Sequence, residues 1–368
     1  VRILQVVPTY LPATRYGGPI FAVHGLARAL AARGHEVHVF TTNVDGNGTS
    51  DVPLDCPVEI DGVRVHYFAT QLRRLYVSSS MRKALRTFVP LCEIVHVHSV
   101  FLWPTTAAAR VAKRAGVPYV VSPRGMLVPE LIRRKSRLAK TAWMRLVERR
   151  TLAEAAAVHF TSQRELDDAR LLAIDWPSTV VVPNGIDVPP PPDATHGDEL
   201  LFLGRINWKK GLDRLIEAMR LLPEARLVIA GNDEENYAAT LPQAPNVRFA
   251  GPVAGAEKDA LLRHAAALVL PSISENFGNV VLEALAVGTP VVVTPEVGLA
   301  RDVEAAGAGM VTSNDPPSLA AALRAMLADR AAREEMGRRG REMVERHFAW
   351  TRVAEEMERV YAGIMSRT

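Results

Sequence analysis

Two doubly wound α/β domains are predicted by three features of the sequence. Short runs rich in Val, Ile and Phe alternate with longer amphipathic stretches along the chain, the pattern of βα units on parallel sheets. The rhythm breaks at Pro189-Pro190-Pro191-Pro192-Asp193, where the prolines exclude both regular helix and central strand. The length, 368 residues, suits two domains, and 48% hydrophobic residues supply two cores.

In the first half, strands are expected at Ile3–Val7, Glu36–Thr41, Val63–Phe68, Ile94–His98, Tyr119–Ser122, Val158–Thr161 and Val180–Val182. Between the first two, Gly18–Arg33 reads as a helix ending at Gly34, a residue that accepts the left-handed conformation. The tetraproline stretch reads as a semi-rigid linker. Strands then restart at Leu200–Leu203 and continue at Arg226–Ala230, Val247–Phe249, Ala267–Leu270, Pro290–Val293 and Gly309–Val311. Helices are expected over Gly211–Leu222, Glu257–His264, Val280–Val287, Ser318–Ala328 and much of Arg330–Met365. Ligands bind at the carboxyl ends of the strands in such folds, so an interdomain cleft is the expected site.

The net charge of +4 hides an asymmetry: residues 1–187 hold 24 Lys+Arg and 15 Asp+Glu, the remainder 20 and 25. A basic first half suits an anionic partner such as a phosphorylated lipid or a membrane surface, although charge alone fits solvated Arg-rich helices as well. Leu131–Arg150 concentrates it, with eight Arg/Lys, the single acid Glu148, and Leu131, Leu138, Ala142, Trp143 and Leu146 near helical spacing. That segment reads either as a helix docking on an anionic membrane or as a domain helix burying Trp143. Cys56 and Cys92 are too few for a disulfide framework and lack metal-ligand spacing, which points to a reducing compartment. Val1–Val7 reads as a buried strand rather than a signal peptide, and no apolar run approaches the ~20 residues of a membrane helix. A cytoplasmic location is expected, at the inner face of the membrane if the basic helix docks there. No nucleic-acid partner is expected.

The strongest chemical signal is Pro271–Ala286. A buried strand ends in the polar loop Ser272-Ile273-Ser274-Glu275-Asn276-Phe277-Gly278, and a helix begins near Asn279, whose N-terminus favours a diphosphate. Glu275 falls in the loop and Glu283 one turn into the helix, so they would touch different parts of an extended ligand. A carboxylate such as Glu283 can accept from two neighbouring hydroxyls, as a ribose presents. In isolation, both glutamates equally fit solvated carboxylates near a helix end. Arg205 and Lys210, after a strand, can neutralise a leaving phosphate with a fork and a point charge. Gly17 and Gly18 allow backbone to approach phosphates. His98 ends a strand and is expected to face the cleft, with His96 deeper on the same face. Arg124, in Ser122-Pro123-Arg124-Gly125, leaves a buried strand toward the same cleft.

Taken together, these segments resemble the retaining glycosyltransferases of family 4, which have the GT-B fold. Glu275 and Glu283 match that family's E-x7-E element, and Tyr16-Gly17-Gly18-Pro19 is similar to its N-terminal Gly-Gly loop. Glu93–His98 resembles its strand ending in an active-site histidine. Gly204-Arg205-Ile206-Asn207-Trp208-Lys209-Lys210-Gly211 resembles its basic pair, and Pro183–Asp187 its segment before the second domain. Phe348-Ala349-Trp350 and the following helix resemble the terminal helix that crosses back onto the first domain.

The resemblance implies a first, acceptor-binding domain over 1–187 with a helix near 349–368, and a donor-binding domain over 188–348. It implies transfer of a sugar from a nucleotide-diphosphate sugar, UDP- or GDP-linked, to an acceptor hydroxyl with retention, in polysaccharide or glycolipid assembly. His98, Arg205, Lys210 and Glu275 would be catalytic. Gly17, Gly18, Gly231, Val253, Asn276, Phe277, Gly278, Asn279 and Glu283 would complete the donor site, with Tyr16 and Arg124 toward an acceptor sugar or lipid-linked sugar. There is no D-x-D triplet and no metal-spaced His/Cys cluster, so no metal or other cofactor is expected. Two alternatives share the architecture: a sugar-nucleotide 2-epimerase, and a non-catalytic two-lobed binding protein.

Overall fold

A computed structural model describes residues 1–14, 17–54, 56–128, 142–172, 174–190, 197–233 and 236–367. The chain divides into two compact units, one of residues 1–185 and 350–368, the other of 186–349.

The first unit is built on an eight-stranded sheet. Its strands are β1 (Arg2–Val6), β2 (Glu36–Thr42), β5 (Val58–Ile60), β6 (Val63–Phe68), β7 (Ile94–His98), β8 (Tyr119–Ser122), β9 (Ala157–Phe160) and β10 (Thr179–Val181), with a short ribbon of β3 (Val44–Asp45) and β4 (Gly48–Thr49) beside it. The order is β10-β9-β8-β7-β1-β2-β6-β5, parallel except where β5 pairs antiparallel with β6. Period-two alternation sorts the side chains onto two cores. Leu4, Val6, Val95, Val97 and Val121 pack on one face, and Ile3, Ile94, Val120 and Ala157 on the other. The second face is covered by the helices Gly18–Ala32 and Trp350–Met365. The approach is close enough that a Cβ on Gly25 would overlap the Trp350 ring. Helix covers much of Arg330–Met365, as expected: Arg330–Met343 runs into a π-turn at Val344–Phe348, and Ala349 is extended before Trp350 starts the terminal helix.

The second unit carries β11 (Glu199–Leu203), β12 (Arg226–Ala230), β13 (Val247–Gly251), β14 (Ala267–Leu270), β15 (Val291–Val293) and β16 (Gly309–Val311). All pairs are parallel, in the order β13-β12-β11-β14-β15-β16. This is the doubly wound arrangement, whose direction reverses between β11 and β14. Pro189 belongs to this unit, its carbonyl accepting from Arg341, so the proline stretch starts inside the second body rather than between the two. Pro191, Pro192 and Asp193 lie outside the described residues.

The helices Ser79–Phe88, Trp103–Ala115, Gln163–Arg170 and Ala300–Ala306 are additional to the expected elements. No helix among the described residues is long and apolar enough to cross a membrane.

Candidate active site

In the second unit the strand order fixes where a ligand-binding loop pair must form. β11 and β14 are adjacent, and their following crossovers leave in opposite directions, opening a crevice at their carboxyl ends. The loops at that point are Gly204–Gly211 and Pro271–Gly278, so topology brings the basic pair and Glu275 to one place.

Local bonds hold both loops. Asn207 caps the turn Trp208–Lys210 by accepting from the Lys209 amide, and the Ile273 amide donates to the Lys209 carbonyl at 2.7 Å. Glu275 is fixed through its backbone: its amide donates to Glu296 and its carbonyl accepts from Gly298, a one-residue parallel bridge with the loop after β15. Its carboxylate forms an ion pair with the Lys210 ammonium. Arg205 is exposed. Glu283 lies in the helix Asn279–Ala286 and pairs with Lys258 at 3.2 Å, a partner with no signal in the sequence spacing.

That helix is capped by Gly278 at φ +95°, with no side-chain cap and no acid in its first turn. Its dipole end therefore meets no competing protein anion within that turn. Phe277 differs from expectation. Its ring is buried in the core against Phe348, so any ligand contact there is limited to main chain. Asn276, Asn279 and Val253 are partly exposed. Gly231 sits at φ +150° just past the paired ends of β11 and β12, and a Cβ would overlap the Gly204 carbonyl oxygen.

In the first unit the sheet reverses between β1 and β7, again at the carboxyl ends. Gly17, at φ +63°, precedes the helix Gly18–Ala32, whose N-terminus has no side-chain cap and no acid in its first turn. Tyr16 lies outside the described residues.

The face that carries Ile3, Ile94, Val120 and Ala157 turns polar at residues Gln5, His96, His98, Ser122 and His159. Their protonation follows from the bonds. The His159 Nε2 can only donate to the Val182 carbonyl, so its Nδ1 accepts from the Ser122 hydroxyl. Ser122 then accepts from the His96 Nε2, whose Nδ1 accepts from the Tyr361 hydroxyl. Likewise Arg124 donates to the His98 Nδ1, leaving the His98 Nε2–H to donate to Gln5. Desolvation holds His96 and His98 well below the usual imidazole range and lowers His159 to about 3, so all three are neutral.

His98 thus differs from a side chain offered to a ligand: it is 0% exposed and both ring nitrogens are engaged. Arg124, partly exposed at φ +54°, bridges His98 and the Asn184 Oδ1 at 2.7 Å, and burial lowers its guanidinium to about 10. Its loop is braced by Glu165, which accepts from the Gly125 and Thr161 amides. Gln5, Glu165 and Tyr361 were not singled out by sequence, and Asn184 only within Pro183–Asp187, because no short motif links positions so far apart.

The segment Leu131–Arg150 is described only from residue 142. There a π-turn runs over Met144–Glu148, with Met144 and Glu148 buried and Leu146 outward, 77% exposed. Trp143 is partly buried, its indole N–H donating to Glu148.

Comparisons with known proteins agree with this architecture. Residues 17–185 match the family described as glycosyl transferase 4-like domain, and residues 191–343 match glycosyl transferases group 1. A glycogen synthase of Mycobacterium tuberculosis is 30% identical over 98% of this chain and 94% of its own. Sucrose-phosphate synthase from Thermosynechococcus elongatus superposes with a TM-score of 0.76 at 23% identity, covering 100% of both chains. Anabaena HepE in complex with UDP and glucose superposes with a TM-score of 0.75 at 18% identity, covering 98% of this chain and 99% of that one. The chain belongs to the family 4-type glycosyltransferases of the GT-B fold.

Proposed function

We propose that the chain transfers a sugar from a nucleotide-diphosphate sugar to an acceptor hydroxyl with retention of configuration, without a metal ion, in polysaccharide or glycolipid assembly. The observation that carries this reading is the meeting of Lys210 with Glu275 at the β11/β14 reversal, beside an exposed Arg205. UDP is the first carrier to test, since the structurally similar HepE holds UDP and glucose.

In this mechanism the bond between the anomeric carbon and the β-phosphate oxygen breaks as the acceptor oxygen attacks from the same face. The acceptor proton passes to the departing phosphate. Arg205 and Lys210 neutralise the charge that grows on that phosphate, in the position a divalent ion would otherwise occupy. Glu275 receives hydroxyls of the transferred sugar and Glu283 those of the ribose. Arg124, held between His98 and Asn184, faces an acceptor sugar or the phosphate of a lipid-linked one.

The test is a thermal-shift panel of UDP, GDP, ADP, TDP and CMP, followed by turnover of the stabilising nucleotide's sugar with saccharide and lipid-linked acceptors. One diphosphate at ~100 times its Kd should add about 2.7 kcal/mol. Formation of an epimer from donor alone, with no transfer product on any acceptor, would overturn the transferase reading.

A further inference from the structure

The helices Ser79–Phe88 and Trp103–Ala115 and the segment from residue 142 enclose a cavity of about 500 Å³ on the first unit. Its lining combines Trp103 and Trp143 with four guanidinium groups, Arg82, Arg86, Arg110 and Arg114. Arg82 stacks over the Trp103 ring at 5.5 Å. A second cavity of about 300 Å³ shares Arg110 and Arg114 and adds Lys113 and the outward-facing Leu146. The helix Trp103–Ala115 runs back from the carboxyl end of β7, so Arg110 and Arg114 lie toward the opposite edge of the sheet from His98.

Among the described residues, little of the charge there is paired. Among the described residues, Arg82, Arg86, Lys113 and Arg114 form no ion pair, and Arg110 forms none either but acts through space on the buried Glu148 carboxyl. The acids nearby are committed elsewhere: Glu148 is buried, accepting from the Phe101 amide and the Trp143 indole, and Glu154 is paired with Arg150. Five cations with no ion-paired acid among the described residues call for an anionic partner, while indole rings and an exposed leucine between them call for apolar contact with the same partner. A soluble anion would use the charges and leave Leu146 in water. An anionic bilayer uses both, phosphates on the guanidinium groups and acyl chains against Leu146.

We propose that this face docks the protein on an anionic membrane surface, with a phospholipid phosphate seated among Arg82, Arg86, Arg110 and Arg114. It goes beyond the transfer reading and does not depend on it, since this face lies at the opposite edge of the sheet from His98.

The full chain is sedimented with vesicles of phosphatidylcholine alone or mixed with phosphatidylglycerol. It should pellet with the mixed vesicles only, and be released when salt is raised from about 0.1 M to 1 M, which shortens the screening length from ~10 Å to ~3 Å. Each Lys or Arg at such a surface contributes about fivefold to binding, so R86E/R114E should lower partitioning by at least about 25-fold. Leu146→Glu, at an exposed position, should lower it as well. Equal binding to neutral vesicles, unchanged binding by R86E/R114E, or an RNA oligomer held as tightly as the mixed vesicles would each overturn the proposal. R86E/R114E should keep the wild-type UDP-induced thermal shift. Vesicle binding by a protein that no nucleotide stabilises would sink the donor reading and leave this surface standing.

Discussion

The Lys210 ammonium and the Glu275 carboxylate are paired across 65 positions of sequence, from loops that follow adjacent strands on opposite sides of the sheet reversal. The pair holds Lys210 in place before any phosphate arrives and keeps Glu275 from being an uncompensated charge. A donor that brings phosphate to Lys210 and hydroxyls to Glu275 replaces one set of partners by another, which limits the cost of opening the pair.

Lys210→Ala should therefore lower kcat by about 10²–10³ if the ammonium acts mainly on the leaving phosphate. Glu275→Gln removes the charge while keeping an acceptor oxygen, and should chiefly affect sugar positioning. Steady-state kinetics on both variants, with circular dichroism to check folding, decides. Near-normal turnover in Lys210→Ala would remove it from the mechanism.

Chelation should leave transfer unchanged. If Arg205 and Lys210 neutralise the leaving group, EDTA-treated enzyme should keep its full rate, and added magnesium should not raise it. A rate that collapses on chelation and returns with a divalent ion would contradict metal-free transfer.

Gly231→Ala should destabilise the second unit by at least about 3 kcal/mol, through backbone strain and overlap with Gly204 that two paired strand ends cannot relieve. Urea unfolding of the variant beside wild type measures this. A change under about 0.5 kcal/mol would show that the two strand ends can separate.

Much of this was legible because strand periodicity is local. The positions of β7, β12 and β14 follow from Ile94–His98, Arg226–Ala230 and Ala267–Leu270 alone, since each is a bounded apolar run. The segments around Arg205 and Glu275 were legible for the same reason: each directly follows such a strand. What stayed hidden depends on contacts between distant positions. The tautomer of His98 is fixed by Gln5 and Arg124, and that of His96 by Tyr361, 265 residues away. The outward face of Leu146 was hidden for a different reason: Ala142 and Leu146 share an exposed face, while Met144, Glu148, Thr151 and Leu152, also at helical spacing but less apolar as a set, form the buried one.

Stability should fall as pH drops below neutrality. His96, His98 and His159 are neutral in the fold, with pKa values lowered by burial, but titrate near 6.5 when unfolded. The unfolded state thus takes up more protons below pH 6.5, and stability is lost from there down toward the folded values, about 3 for His159. Each histidine adds a slope of about 1.4 kcal/mol per pH unit within that window. Unfolding measured between pH 7.5 and about 5 should weaken steeply. A flat profile would mean that these imidazoles protonate in place.

Tyr361→Phe tests the same chain of bonds from its far end. With the hydroxyl gone, the His96 Nδ1 becomes a buried acceptor without a donor. Switching the tautomer does not rescue it: the His96 Nε2 would then need the single Ser122 proton, which His159 already takes. One acceptor stays unpaired in either case, so the variant should lose about 1–3 kcal/mol, more than the area of one hydroxyl suggests. Combining it with Ser122→Ala should cost less than the sum of the two, because the serine substitution already breaks the chain at its centre. Strict additivity in urea unfolding of the two single variants and the double would show that Tyr361 and Ser122 act independently.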